Sequence, residues 1–190
     1  MNSHPLILAS ASPRRAELLR ELGCEFIIAP SHAPEAEHEH LTAAELCQIN
    51  AYRKARPLAK KFPDAVVLGA DTLVCLGPAI FSKPASLADA QRMLWLLQGR
   101  THEVITGVCL LHLHGHRCRI FAERTEVTFR PLDAAQIDAY LEKINPLDKA
   151  GGYAIQEHGG LIVARIAGSY SNVVGLPLER VQPVLEAWGV

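Results

Sequence analysis

The sequence lacks an excess of charge of either sign. Its 190 residues include 19 Lys and Arg against 20 Asp and Glu, which gives a formal net charge of -1. A protein that binds nucleic acid through its general surface needs a broad positive field, so this balance argues against a nucleic-acid partner. Any anion binding must therefore depend on local clusters of Lys and Arg.

Long apolar runs are also missing. No stretch reaches the roughly 20 apolar residues that a membrane-spanning helix needs, so we expect no membrane partner. The first residues, MNSHPLILAS, have neither the basic start nor the long apolar segment of a secretory signal peptide. We expect a cytoplasmic protein. Its length fits a single domain over residues 1–190, with two lobes, and no internal repeat divides it.

Paired cysteine motifs are absent as well. The five cysteines form no CxxC pair, and in a chain without a secretion signal we expect reduced, mostly buried thiols. Zinc binding is the alternative, and it includes the histidines at 112, 114 and 116 between Cys109 and Cys118. A hairpin with polar residues at its exposed tip explains those histidines better.

Short apolar runs alternate along the sequence with amphipathic segments that begin at helix-capping residues. Hairpins are predicted beside strand–helix alternation, which is typical of an α/β fold with a mixed sheet. Strands are predicted at residues 6–9, 26–28, 66–75, 80–81, 103–113, 118–129 and 161–166. Helices are predicted from residues 13, 42, 86 and 133, with a final helix through residues 181–185. Capping boxes of Thr42 with Glu45 and of Ser86 with Asp89 mark two of these starts, and a turn is predicted at residues 168–172.

The first predicted helix has an unusual beginning. Ser12 suits the N-cap and Pro13 the first helical position. Arg14 and Arg15 then occupy the first turn, where the helix dipole favours acidic side chains. Together with the Ser10 hydroxyl and the free helical N–H groups, they form a local phosphate site whose counter-charge arrives with the ligand. The alternative is a pair of solvated arginines folded back onto carboxylates.

A carboxylate interrupts the apolar strand predicted at residues 66–75. Asp71 would be expensive to bury without a partner, so it is either a salt-bridged residue at a strand end or a metal ligand or general base. Thr72 beside it offers a hydroxyl, and strand alternation directs it to the opposite face.

Three further charged residues are ambiguous when each is taken alone. Glu35 lies in a polar, acidic loop and Lys54 on a helix, and both positions are typical of solvated surface residues. Lys83 precedes a proline, which holds it in extended backbone and favours a fixed phosphate contact.

The segment at residues 148–156 is rich in special residues. Its adjacent glycines allow the backbone to approach a ligand closely, and Tyr153 and Gln156 could read a base by stacking and hydrogen bonding. The alternative is a tight connection that needs glycine at positive φ.

Six motifs occur in order along the chain: SASPRR at 10–15, GADT at 69–72, KP at 83–84, THEVITG at 101–107, DKAGGY at 148–153 and GSYSNVVGLP at 168–177. In combination they resemble the Maf family of nucleoside triphosphate pyrophosphatases, from about Leu6 to Leu178. The resemblance implies an elongated mixed β-sheet with flanking helices and a cleft between two lobes, similar to inosine triphosphatases, commonly in a homodimer. It also implies hydrolysis of a nucleoside triphosphate to the monophosphate and pyrophosphate with Mg²⁺ or Mn²⁺.

The same resemblance implies a role for each candidate residue. Asp71 and Glu35 match the acidic pair near the metal, with Asp71 as proton acceptor, and Lys83 completes the implied catalytic set. The implied substrate-binding residues are Ser10, Arg14, Arg15, Lys54, Thr72 and Gln156. Among these, Arg14, Thr72 and Gln156 match the subtype that acts on dTTP and UTP.

Two alternatives to a dTTP/UTP pyrophosphatase remain open from the sequence. One is a pyrophosphatase for purine or modified nucleotides, and the other is a nucleotide-binding regulator of septum formation. The chain also departs from the family pattern at three places. Glu35 lacks the usual acidic neighbour, and Asn50 with Ala51 stands where the family usually has a leucine–alanine pair. Ser82 precedes Lys83, where glycine or glutamate is more usual.

Overall fold

Apolar strands and capped helices alternate along the chain in the computed structural model, which describes residues 4–36 and 40–190. The strands are β1 (Leu6–Leu8), β2 (Phe26–Ile28), β3 (Val66–Leu76), β4 (Ala79–Phe81), β5 (Thr101–His112), β6 (Arg117–Phe129) and β7 (Val163–Ala167). The α-helices are α1 (Pro13–Glu21), α2 (Ala43–Lys61), α3 (Leu87–Leu97), α4 (Ala134–Leu141), α5 (Tyr170–Val174) and α6 (Leu178–Trp188).

The strands of the described residues form one mixed sheet in the order β2-β1-β3-β5-β6-β7, with β4 paired to β3. β1 lies parallel to both β2 and β3, whereas β4 is antiparallel to β3 and β7 is antiparallel to β6. The prediction of an α/β fold with a mixed sheet is therefore confirmed. The segment predicted as a turn at residues 168–172 instead leads into the short helix α5.

Local capping explains where two of the helices begin. Thr42 and Glu45 form the complete capping box predicted at the start of α2. At α3, Ser86 accepts a hydrogen bond from the Asp89 N–H as predicted. The Asp89 carboxylate, however, accepts from the N–H of Ala85 and not from that of Ser86, so the predicted box is incomplete.

The chain divides into two compact units, each with a buried apolar cluster. The first contains the described residues of Met1–Asp71, Thr106–Glu123 and Gly175–Val190. Its cluster includes alanines 51, 55 and 59 of α2 beside Ile7 and Val67. The second unit contains Thr72–Ile105 and Arg124–Val174, and its cluster includes the aromatic side chains of residues 129, 140 and 153.

Small residues bring α2 directly against the sheet in the first unit. A Cβ at Gly69 of β3 would collide with the carbonyl oxygen of Ala51, and one at Gly107 of β5 would collide with the backbone of Cys47. Because no side chain separates these backbones, α2 lies directly over β3. Asp71 on this strand is the last residue of the first segment of the unit.

The cysteines and histidines follow most of the sequence predictions. None of the five cysteines forms a disulfide: three are buried, Cys24 is half-buried and Cys118 is exposed. His114 and His116 are exposed at the predicted turn between β5 and β6. His112 is not part of the exposed tip, because it is buried with its ring 4.3 Å from that of His4. None of the helices described is long and apolar enough to cross a membrane.

Candidate active site

The start of α1 is held by a serine other than the predicted one. Ser12 occupies the N-cap position, but its side chain makes no capping hydrogen bond. The Ser10 Oγ instead accepts from the Ser12 N–H and from Arg15 Nη1, both at 3.2 Å. Arg15 Nε also donates to the Gly175 carbonyl at 2.8 Å. Ser10 and Arg15 therefore fix each other and the loop before the helix.

Burial and three neighbouring charged side chains set the electrostatic environment of Arg15. Burial lowers the pKa of the Arg15 guanidinium, while Asp71 and Glu35 raise it and the neighbouring Arg14 lowers it. An arginine pKa is high enough that the group stays charged at neutral pH. Two carboxylates of the protein therefore contribute counter-charge to Arg15, and the binding of a phosphate at Arg14 and Arg15 stays a prediction.

Asp71 is a buried carboxylate that Lys54 of α2 neutralises and that Lys54 and Asn50 together orient. It is 6% exposed. Its Oδ1 accepts from Lys54 Nζ at 2.6 Å, and its Oδ2 accepts from Asn50 Nδ2 at 3.2 Å. Asn50 and Lys54 are four residues apart, so one turn of α2 presents an amide and an ammonium to the same carboxylate. These contacts explain how an aspartate tolerates the apolar strand.

Glu35 joins Asp71 through the same lysine. Lys54 Nζ lies 2.7 Å from Glu35 Oε1 as well as 2.6 Å from Asp71 Oδ1. The side chain of Glu35 is 60% exposed, whereas that of Asp71 is 8% exposed. The structure thus brings together three of the predicted site residues, and its acidic pair combines a buried carboxylate with an accessible one.

Asn50 is a site residue that the sequence predictions did not include. It is buried, and besides donating to Asp71 it accepts a hydrogen bond from the Ala36 N–H at 2.6 Å. Its neighbours on the buried face of α2 are Cys47 and Ala51. A large polar residue between them is the signal that could have identified it, because a buried amide needs hydrogen-bonding partners.

The remaining predicted residues belong to the second unit. Thr72 is half-buried and follows Asp71 on β3, whereas Lys83 and Gln156 are exposed. The roles assigned to Thr72, Lys83 and Gln156 therefore stay predictions.

Tyr153 does not have the exposed ring that base stacking requires. It is 6% exposed, and its hydroxyl lies 2.8 Å from His102 Nε2. The ring of Phe129 meets it edge-on. Burial raises the pKa of Tyr153 and lowers that of His102 to about 4, so both groups are neutral at neutral pH. The prediction that Tyr153 reads a base by stacking is wrong, because the side chain is part of the core.

Known proteins resemble this chain over nearly its whole length. A model of the Maf family, described as Maf-like protein, matches residues 5–188. The dTTP/UTP pyrophosphatase of Moorella thermoacetica is 50% identical over 185 residues, covering 97% of this chain and 95% of the relative. The dTTP/UTP pyrophosphatase of Symbiobacterium thermophilum is 45% identical over 184 residues, covering 97% and 94%.

Among solved structures, the Ham1 protein of Staphylococcus aureus has a similar fold. It superimposes with a TM-score of 0.55 over 97% of this chain and 99% of that protein, at 14% sequence identity. This likeness concerns the fold alone. The family model matches nearly the whole chain, and one relative is 50% identical to it in sequence. The chain therefore belongs to the Maf family.

Proposed function

We propose that this protein hydrolyses nucleoside triphosphates, with dTTP and UTP as preferred substrates, to the monophosphate and pyrophosphate. The observation that carries the proposal is the Asp71 carboxylate, buried and held by Lys54 beside Glu35. The family membership supports it, since two relatives named dTTP/UTP pyrophosphatase share 45–50% of their aligned residues with this chain.

In this proposal Asp71 accepts the proton of the attacking water. An ionised carboxylate offers about four acceptor positions, and its bonds from Lys54 and Asn50 use two of them. The carboxylate can therefore still accept a hydrogen bond from water. A positioned base of this kind contributes about 10²- to 10⁴-fold to a reaction rate.

Positive charge around Asp71 suits a polyphosphate. Lys54 contacts the carboxylate directly, and Arg15 is close enough for the charge of Asp71 to raise its pKa. Arginine and lysine stabilise the charge that develops on transferred phosphoryl groups. Arg14, Lys83 and the Ser10 hydroxyl are further groups that we assign to the triphosphate, and Thr72 and Gln156 to the choice of base.

A divalent cation fits the acidic pair. Carboxylate oxygens are the ligands that Mg²⁺ and Mn²⁺ prefer, and the Lys54 ammonium between Glu35 and Asp71 shows that their oxygens converge on a cation. Within residues 4–36 and 40–190 no group of three or more His, Cys, Asp or Glu side chains gathers as a metal site. Glu35 and Asp71 would hold Mg²⁺ or Mn²⁺ together with phosphate oxygens, and the ion would neutralise phosphate charge.

The test is pyrophosphate release by the Asp71→Asn variant. We expect the rate to fall by at least about 100-fold, because an amide cannot accept the proton, while dTTP binding measured by calorimetry persists. Asp64→Asn is the matched control, since Asp64 is an exposed aspartate of the same unit that bonds to His114. Turnover at the wild-type rate in Asp71→Asn contradicts the proposal.

A substrate panel separates this function from its alternatives. Wild-type protein is assayed with dTTP, UTP, purine triphosphates and methylated triphosphates, each with Mg²⁺, Mn²⁺ or a chelator. We expect the highest kcat/KM for dTTP and UTP and no turnover with the chelator. A preference for purine or methylated nucleotides contradicts the substrate assignment. Binding without any turnover indicates a regulator.

A further inference from the structure

We propose that Asn50 is a positioning residue of this site, because its one amide group sets the orientation of Asp71 and the position of the backbone that follows Glu35. This inference rests on the proposed hydrolysis. It assigns Asn50 no contact with the substrate. Its effect is transmitted through the two carboxylates.

The geometry around Asn50 is complete on both sides of the amide. Its Oδ1 accepts from the Ala36 N–H at 2.6 Å, and its Nδ2 donates to Asp71 Oδ2 at 3.2 Å. A backbone N–H can only donate and an ionised carboxylate can only accept. The two partners therefore dictate which end of the amide faces which group, and Asn50 has a single orientation that satisfies both.

Burial gives these bonds their importance. Asn50 is 3% exposed, Ala36 5% and Asp71 6%. Water therefore replaces neither partner easily if the amide is removed, and a buried N–H without an acceptor is costly. Ala36 is bonded covalently to Glu35, so its loss of position also displaces Glu35. Asp71 would retain Lys54 but lose the donor that fixes its second oxygen.

The role of Asn50 follows from the segments that its contacts join. The amide joins α2, the Glu35 loop and β3, which are the three segments that supply Lys54, Glu35 and Asp71.

Two substitutions separate the two bonds. Asn50→Leu keeps an uncharged side chain of comparable size and removes both. Asn50→Asp keeps an acceptor for Ala36 and, as a carboxylate, removes the donor to Asp71. Asn172→Asp is the matched control, since Asn172 is also a buried asparagine whose Nδ2 donates, in this case to the Val104 carbonyl and Thr125 Oγ1.

The experiment measures kcat and KM for dTTP, the melting temperature and the hydrogen exchange of the Ala36 amide by NMR. For both Asn50 variants we expect kcat to fall by about 10- to 100-fold with KM changed less than about threefold, since small displacements of catalytic groups cost rates of this size. The Ala36 amide should exchange faster in Asn50→Leu and stay protected in Asn50→Asp. Asn172→Asp should lower the melting temperature and leave kcat unchanged.

The outcomes distinguish this inference from the proposed function. Active wild type with unchanged kcat in both Asn50 variants overturns the positioning role, whatever happens to the melting temperature. If kcat is unchanged in Asn50→Asp alone, the bond to Asp71 has no effect on the rate. This result overturns the inference that Asn50 orients Asp71. Inactive wild-type protein overturns the proposed function and, with it, the role of Asn50.

Discussion

Two lysines of this protein each lie between two carboxylates, and their surroundings differ. Lys54 Nζ contacts Glu35 and Asp71 at 2.7 and 2.6 Å. Lys149 Nζ contacts Asp148 and Glu157 at 2.9 and 3.2 Å. The side chain of Lys149 is 4% exposed and that of Lys54 is 15% exposed. The more deeply buried lysine is not the one at the candidate active site.

The difference lies in what each lysine connects. Lys149 also donates to the carbonyl of Asn145, four residues earlier, so its bonds close one local segment of the second unit. Lys54 reaches Asp71, which is 17 residues away on another element, and Glu35 in the loop before α2. A lysine that satisfies a backbone carbonyl within its own loop stabilises that loop. A lysine that gathers carboxylates from separate elements builds a site.

The largest effect on activity is expected from Lys54→Met. Removing this ammonium leaves Asp71 buried with less compensating charge and removes a cation that we assign to the triphosphate. We expect kcat/KM for dTTP to fall by at least about 100-fold, which corresponds to about 2.7 kcal/mol of transition-state stabilisation. Steady-state pyrophosphate release measures it. A fall of less than threefold would mean that Lys54 resembles Lys149 in being structural.

An effect on stability is expected in the second unit at acidic pH. Burial lowers the pKa of His102 to about 4 from its ordinary value of 6.5, so the unfolded chain binds this proton first. Stability is therefore full above pH 6.5 and is lost as the pH falls toward 4, by on the order of 3 kcal/mol for this group. Acid therefore weakens the second unit through His102, which takes part in the ion pairs of neither Lys54 nor Lys149.

The measurement is urea unfolding from pH 7 to 4 for wild type and His102→Gln. Glutamine can still bond to the Tyr153 hydroxyl but does not titrate, so we expect a shallower loss of stability in the variant. Other titrating groups act in both proteins and cancel in the difference. Parallel curves would show that His102 is not protonated on unfolding.

The smallest effect is expected from Lys149→Met. The Asn145 carbonyl loses its donor, while Asp148 and Glu157 are 46% and 41% exposed and remain hydrated. We expect a loss of about 1–2 kcal/mol in unfolding free energy and a change in kcat of less than about threefold. Thermal and urea unfolding test the first, and pyrophosphate release tests the second. A loss of activity as large as that of Lys54→Met would remove the contrast between the two lysines.

The sequence predicted the features that depend on local patterns. The mixed α/β fold follows from alternating apolar strands and capped helices, and the box of Thr42 and Glu45 marks the start of α2. The pairing of Glu35 with Asp71 came from the family resemblance, because Glu35 alone resembles any solvated acidic residue. The structure adds that a shared lysine joins them.

What the sequence did not predict depends on neighbours distant along the chain. Asn50 looks ordinary until α2 places it between Ala36 and Asp71. Tyr153 lies in a glycine-rich segment that suggests exposure, but its partner His102 is on β5. Ser12 has the sequence position of an N-cap, yet Ser10 is the serine that accepts hydrogen bonds, from the Ser12 N–H and from Arg15. Arg15 in turn donates to Gly175, which is 160 residues away along the chain.

The glycines beneath α2 fix the distance between this helix and the strands below it. At Gly69 and Gly107 the helix meets the strands backbone to backbone, with no side chain between them whose rotamer could change. The distance between α2 and β3 is therefore set by van der Waals contact between the two backbones. Side chains elsewhere in the core can vary without changing how far Asn50 and Lys54 must reach to Asp71.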